Sequence, residues 1–180
     1  GDIDNDGWID CYLSNRGFTG QSPNILYRNL GNGTFENITA TAGVLDLQGM
    51  TYCSVFLDYD LDGDADLYVS NDKTYTYNRL FENNGDGTFN DISESSGIGF
   101  CIDGMGVCAG DYNNDGFLDL YVANTGSSGQ IEFEGNKLLK NNGDGTWTEM
   151  DDQLGVEVNK TCWGVNLNDL DNDLNNTDYT

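Results

Sequence analysis

Two short motifs alternate along this chain with a period of about 55 residues, and that rhythm limits the fold more than any other feature. The first reads D-x-[DN]-x-D-G-x-x-D and runs into an apolar segment ending in Asn: "DIDNDGWIDCYLSN" from Asp2 to Asn15, "DYDLDGDADLYVSN" from Asp58 to Asn71 and "DYNNDGFLDLYVAN" from Asp111 to Asn124. The second is "NILYRNLGNGTFENIT" from Asn24, "NRLFENNGDGTFNDIS" from Asn78 and "NKLLKNNGDGTWTEM" from Asn136. Regular recurrence at this interval marks a repeat protein, whose copies bury their apolar faces against one another.

The second motif predicts a hairpin. Apolar residues precede a Gly/Asn turn and Phe35, Phe89 or Trp147 follows it, with glycines that tolerate positive φ at the reversal. A phosphate cradle is the other use of such turns, but no helix or P-loop lysine pattern follows these. The segments after the acidic motif, "CYLSN", "LYVSN" and "LYVAN", alternate and are rich in β-formers, so each acidic loop leads into a strand. Each copy is therefore an all-β unit of about four strands. This separates the motif from the EF-hand loop, which closes with Glu at position twelve and is flanked by helices.

A single acidic run could be a solvated turn. Here about half of the 31 acidic residues occupy repeated loop positions, which scattered solubilising charge would not do. Carboxylates at alternate positions of a curling loop repel one another unless something neutralises them. Hard oxygen donors in a flexible loop with a turn glycine suit Ca²⁺, and magnesium stays open, though it prefers to keep waters beside phosphates. The chain has no His, which removes zinc or copper sites of the imidazole type. Side-chain ligands are expected at positions one, three, five and nine, and a backbone carbonyl at seven, from Trp8, Asp64 and Phe117.

With both motifs in register over nearly the whole chain, the sequence resembles the FG-GAP or VCBS repeat family, which includes the integrin α-subunit propeller and cartilage-acidic-type secreted proteins. The resemblance implies β-propeller blades with Ca²⁺ in the loop between two strands of a blade, in extracellular proteins that bind other proteins or glycans. By residue, the implied ligands are Asp2, Asp4, Asp6 and Asp10; Asp58, Asp60, Asp62 and Asp66; and Asp111, Asn113, Asp115 and Asp119. A fourth, degenerate loop holds Asp169, Asp171, Asp173 and Asp178. It departs from the pattern, with Leu174 in place of the turn glycine and Thr177 at position nine.

The copies divide the chain into the C-terminal part of a repeat at 1–23, repeats at 24–77 and 78–135, and a partial, degenerate repeat at 136–180. Propellers close with about four to eight blades, so these are too few to close a ring alone. We expect either a piece of a larger propeller or a subunit whose open strand edges pair with copies of itself.

A net charge of −24 excludes a nucleic-acid backbone as a default partner, and no stretch is long and apolar enough for membrane insertion as a span. The cysteines, Cys11, Cys53, Cys101, Cys108 and Cys162, match no zinc spacing and are consistent with two disulfides and one left over. A Cys53–Cys108 bridge is one option, and connectivity stays open. Sequons at Asn32, Asn37, Asn159 and Asn175 are candidate glycosylation sites that agree with an extracellular, secreted or cell-surface location. Tyr12, Tyr68 and Tyr121, recurring at one blade position, are expected to fill inter-blade contacts. The functional expectation is a non-catalytic, calcium-stabilised scaffold for adhesion or assembly, binding proteins, glycans or its own copies. The alternative is a fragment of a propeller enzyme acting on glycans, with paired carboxylates as acid and base.

Overall fold

The computed structural model describes residues 1–17, 23–47, 49–73, 76–125, 135–158 and 162–168, together with the backbone of 178–179. The strands form antiparallel meanders in chain order. Acidic loops and glycine hairpins are both too short for a crossover, so the strands that each one joins pair antiparallel. The first sheet contains β1 (Cys11–Leu13), β2 (Ile25–Asn29) and β3 (Phe35–Asn37). The second contains β4 (Thr51–Leu57), β5 (Asp66–Asn71), β6 (Arg79–Asn83) and β7 (Phe89–Asp91). The third contains β8 (Gly104–Gly110), β9 (Asp119–Asn124), β10 (Lys137–Asn141) and β11 (Trp147–Glu149). A one-turn helix, α1 (Asp151–Leu154), and a ribbon of β12 (Leu167–Asn168) with β13 (Asp178–Tyr179) follow.

These meanders are blades of propeller type, and among the described residues they do not close a ring. Each four-stranded sheet is assembled across two sequence copies. β4 and β5 flank the second acidic loop, whereas β6 and β7 are the glycine hairpin beginning at Asn78. Periodicity reports the spacing of units, and strand pairing decides where a sheet begins.

The alternation of the β5 segment sorts its side chains between neighbouring blades. Leu67 and Val69 pack with Ile3, Leu26, Phe81 and Phe89 on the side of the first sheet. Tyr68 points the other way, into a cluster with Leu80, Ile98, Leu120 and Val122 between the second and third sheets. With a blade on each face, β5 is buried along its whole length, and both of its faces carry apolar side chains. Tyr68 is thus an inter-blade residue, as its recurrence predicts. The blades approach closely at Gly104, where a Cβ would collide with Ser70 Oγ.

The helix α1 is the fullest form of a turn that every copy makes after its hairpin. The amides of Ala42, Ser96 and Leu154 donate to the carbonyls four residues back, at 2.7, 2.9 and 3.0 Å. In the third copy Asp151 and Asp152 occupy the first turn, where the helix dipole favours negative charge, and Gly155 stops the helix at φ 70°.

Candidate metal centres

Three loops of one geometry connect β4 to β5 and β8 to β9 and precede β1. Each curls because two of its residues take left-handed backbone: Asn5, Leu61 and Asn114 at position four (φ 54°, 65° and 57°), then Gly7, Gly63 and Gly116 at position six (φ 88°, 94° and 93°). The curl brings each position-six amide to the position-one carboxylate. Gly7 donates to Asp2 Oδ2 at 3.0 Å, Gly63 to Asp58 Oδ2 at 3.1 Å and Gly116 to Asp111 Oδ2 at 2.9 Å. The position-five acids Asp6, Asp62 and Asp115 accept from the amides of Trp8, Asp64 and Phe117 at 2.9, 2.9 and 3.1 Å, which fixes the position-seven peptide whose carbonyl is the expected ligand.

The acid at position nine is the anchor. Asp10, Asp66 and Asp119 are buried. Their Oδ2 atoms accept from the position-two amides of Ile3, Tyr59 and Tyr112 at 2.9, 3.0 and 3.1 Å. Their Oδ1 atoms accept from the amides of Asn29, Asn83 and Asn141 at 2.7, 2.8 and 2.8 Å. Burial pushes Asp66 up to about 7 and Asp119 up to about 6, against the pull of those same amides. A carboxyl titrating near neutrality resembles a general acid. With 0% of its surface exposed and both oxygens held by backbone, however, Asp66 presents nothing to a substrate.

The structure gathers Asp2, Asp4 and Asp10 into one cluster and Asp58, Asp60 and Asp66 into another, with one carboxylate oxygen of each residue within 4.8 Å of those of its neighbours. In the third loop the amide of Asn113 stands at position three, and its Oδ1 accepts from the Asp115 amide at 2.9 Å. The donors are all oxygens, and three of them, Asp2 Oδ1, Asp4 Oδ1 and Asp58 Oδ1, are buried without a hydrogen-bond partner. Stranded carboxylate oxygens are costly, and a hard cation is the chemistry that suits such a set. The crowding is visible in the acids themselves: burial, then neighbouring carboxylates, raise Asp60, and burial raises Asp4 although Arg28 opposes it.

The loops differ in what surrounds them. Arg28 Nη2 lies 2.5 Å from Asp4 Oδ2, and Lys140 Nζ lies 3.2 Å from Asp115 Oδ2. The matching position beside the second loop is Glu82, whose charge adds to the pressure on Asp60. Among the described residues no ion pair reaches the second loop, which makes it the most negative of the three.

Sequence reasoning passed over Asn29, Asn83 and Asn141. Each clamps its hairpin by accepting from the glycine two residues on, Gly31, Gly85 and Gly143, at 3.1, 3.0 and 2.9 Å, while its own amide holds the position-nine acid. The signal was present as the recurring "RN", "EN" and "KN" before each turn. These glycines also seat the side chain of position seven: a Cβ at Gly31, Gly85 or Gly143 would meet Trp8, Asp64 or Phe117 at 2.5–2.6 Å. The acidic loop and the glycine hairpin are therefore one built unit.

Of the degenerate fourth loop, Asp169, Asp171 and Asp173 lie outside the described residues, and Asp178 is placed only as backbone of β13. Asn32 and Asn37 are exposed, each with its Oδ1 bonded to the hydroxyl of the sequon threonine, and Asn159 and Asn175 lie outside the described residues. All five cysteines are free thiols, so the two bridges suggested by their number do not form in this structure. Cys53 stands in register with Ser70 on β5 and Cys108 Sγ lies 4.0 Å from the Tyr121 carbonyl on β9, so each is housed within its own sheet. Burial pushes both thiols up to about 11.

Acidic loops of one design, each stitched to the hairpin of its blade, define a propeller-type repeat protein with built oxygen-donor clusters. The chain belongs to the FG-GAP repeat family: residues 2–69 and 58–122 match the FG-GAP-like repeat and residues 104–146 match the FG-GAP repeat. It is also similar to cartilage acidic protein 1 of Xenopus tropicalis, at 38% identity over 61 residues, a stretch covering 33% of this chain and 9% of that protein. No helix among the described residues is long and apolar enough to cross a membrane.

Proposed function

We propose that the chain is part of an extracellular, calcium-binding repeat protein that serves as a structural or adhesion scaffold and not as an enzyme. The observation that carries this reading is the set of buried, unpartnered oxygens on Asp2, Asp4 and Asp58, in loops whose other carboxylate oxygens are largely committed to backbone amides. Calcium suits them better than magnesium because several protein oxygens converge in each loop, where magnesium would retain its waters. Filling the loops would convert binding free energy into folding free energy, tying together the strand ends that each loop joins. Likeness to a protein named for cartilage supports placing the chain outside the cell. Its partners would be other proteins, glycans or its own copies. The edge of β1, which pairs only with β2 among the described residues, offers a strand-sized surface for a protein partner.

The test is a thermal melt of the chain in chelator, in calcium and in magnesium. With dissociation constants of about 10⁻⁴–10⁻³ M, about 10 mM calcium stabilises by roughly 1.5–3 kcal/mol per site, so two filled sites predict a Tm difference of roughly 6–20 °C. Calcium should restore the melt and equimolar magnesium should do so less. A melt indifferent to chelation would remove the reading.

A further inference from the structure

We propose that neighbouring cation loops are coupled through buried hairpin asparagines, Asn83 joining the first loop to the second and Asn141 joining the second to the third. The inference rests on the calcium reading above and concerns how the sites communicate.

The bonds form a relay that repeats in both intervals. Asp66 of the second loop holds the Asn83 amide at 2.8 Å. The Asn83 side chain then donates to the Ile3 carbonyl of the first loop at 2.8 Å and to the Ala65 carbonyl of the second at 3.1 Å. The Ile3 amide donates to Asp10 at 2.9 Å. Ile3 lies between Asp2 and Asp4, so the residue that spaces two ligands of the first loop is held at its amide by its own anchor and at its carbonyl by a group set from the second. In the next interval Asp119 holds the Asn141 amide at 2.8 Å, and Asn141 Nδ2 donates to the Tyr59 carbonyl at 2.7 Å. Tyr59 lies between Asp58 and Asp60, and its amide donates to Asp66 at 3.0 Å. Asn5 adds a direct bond between the first two loops, to Asp64 Oδ1 at 2.6 Å.

Asn83 and Asn141 are 3% and 0% exposed, so water does not replace a partner that moves away. An ion that orders the second loop fixes Asp66, hence Asn83, hence the Ile3 peptide. The first loop then meets its own ion with part of the ordering already done, and the effect must run equally in reverse. Asn29, the equivalent residue of the first hairpin, donates its side-chain amide to Ile9 of its own loop at 3.1 Å, the counterpart of the own-loop bonds from Asn83 to Ala65 and from Asn141 to Leu118.

The experiment follows amide hydrogen exchange of Ile3 and Tyr59 in the full chain during titration with calcium chloride. Asp60→Asn disables the second loop without altering any donor of the first, and Asp4→Asn does the converse. Coupling predicts that Asp60→Asn moves the Ile3 midpoint to calcium at least about fivefold higher, and that Asp4→Asn moves the Tyr59 midpoint by the same factor. Asn83→Leu should shift the Ile3 midpoint similarly, with the two losses not additive in the Asp60→Asn background. Unshifted midpoints in whichever variants fold would overturn the relay while leaving calcium binding intact. Calcium that protects neither amide of the unaltered chain would overturn both readings.

Discussion

Arg28 offers a test of the electrostatics that reverses sign with calcium. Its Nη2 stands 2.5 Å from Asp4 Oδ2 and 3.8 Å from Asp6 Oδ2, where it partly neutralises the first loop and competes with a bound cation. Its side chain is 42% exposed, so the dielectric is closer to that of water than of the interior. A guanidinium about 5 Å from a divalent ion costs about 1.7 kcal/mol in bulk water and about 1 kcal/mol once screened at physiological salt, which is roughly a fivefold loss of affinity. Arg28→Gln should therefore tighten calcium binding at the first loop about fivefold by calorimetry, whereas Arg28→Lys should stay close to the unaltered chain. In chelator the same Gln variant should melt lower, because the repulsion between Asp4 and Asp6 loses its counter-charge. A Gln variant that binds calcium no better would refute the competition, and one that melts no lower in chelator would refute the counter-charge role of Arg28.

Leu61→Asn, which matches Asn5 and Asn114 at the same loop position, should stabilise by about 1 kcal/mol in denaturant titration, because Leu61 holds φ 65° while 55% exposed. Gly143→Ala should cost about 1–3 kcal/mol, with both a left-handed backbone at φ +72° and the Phe117 ring 2.5 Å from the new Cβ. Gly145→Ala, with a similar φ and open space around it, should cost less, and equal losses would discount the ring contact. For pH, burial raises the folded-state Asp66 to about 7 and Asp119 to about 6, so the chelated protein holds protons that its unfolded chain releases near 4. The contribution of these two groups to stability is full below about pH 4 and is lost as pH rises through 7, while the stabilisation by calcium grows over the same window. Melts at pH 5 and 8, with and without calcium, check both signs, and a chelated protein that gains stability toward pH 8 would contradict the burial of Asp66.

Much of the architecture was legible because it is written in periodicity. The acidic motif, the apolar run after it and the glycine hairpin are local, and each states its own backbone demand: left-handed Asn and Gly at the curl, alternation in the strand, small residues at the reversal. The two acidic clusters were legible for the same reason, since carboxylates at positions one, three and nine of a curling loop converge on one small volume. The single helical turn α1 was not, because four residues are too short a run to carry a helical period, and the same i to i−4 bond closes the turn in the other copies.

The asparagines before each hairpin turn show where local reading stops. In the sequence, Asn83 is one polar residue of a Gly/Asn-rich turn, and its role comes from Ile3, which only sheet packing brings within 2.8 Å. The same holds for the two faces of β5: alternation separates Leu67 and Val69 from Tyr68, but the neighbouring blades decide which cluster each enters. Residue order thus settles what each loop and strand is able to do, because those demands are met within a few bonds of the chain. Which loops touch, which carboxylate is buried to 0% exposure and which amide links one site to the next depend on contacts between blades, and those exist only once the sheets have packed.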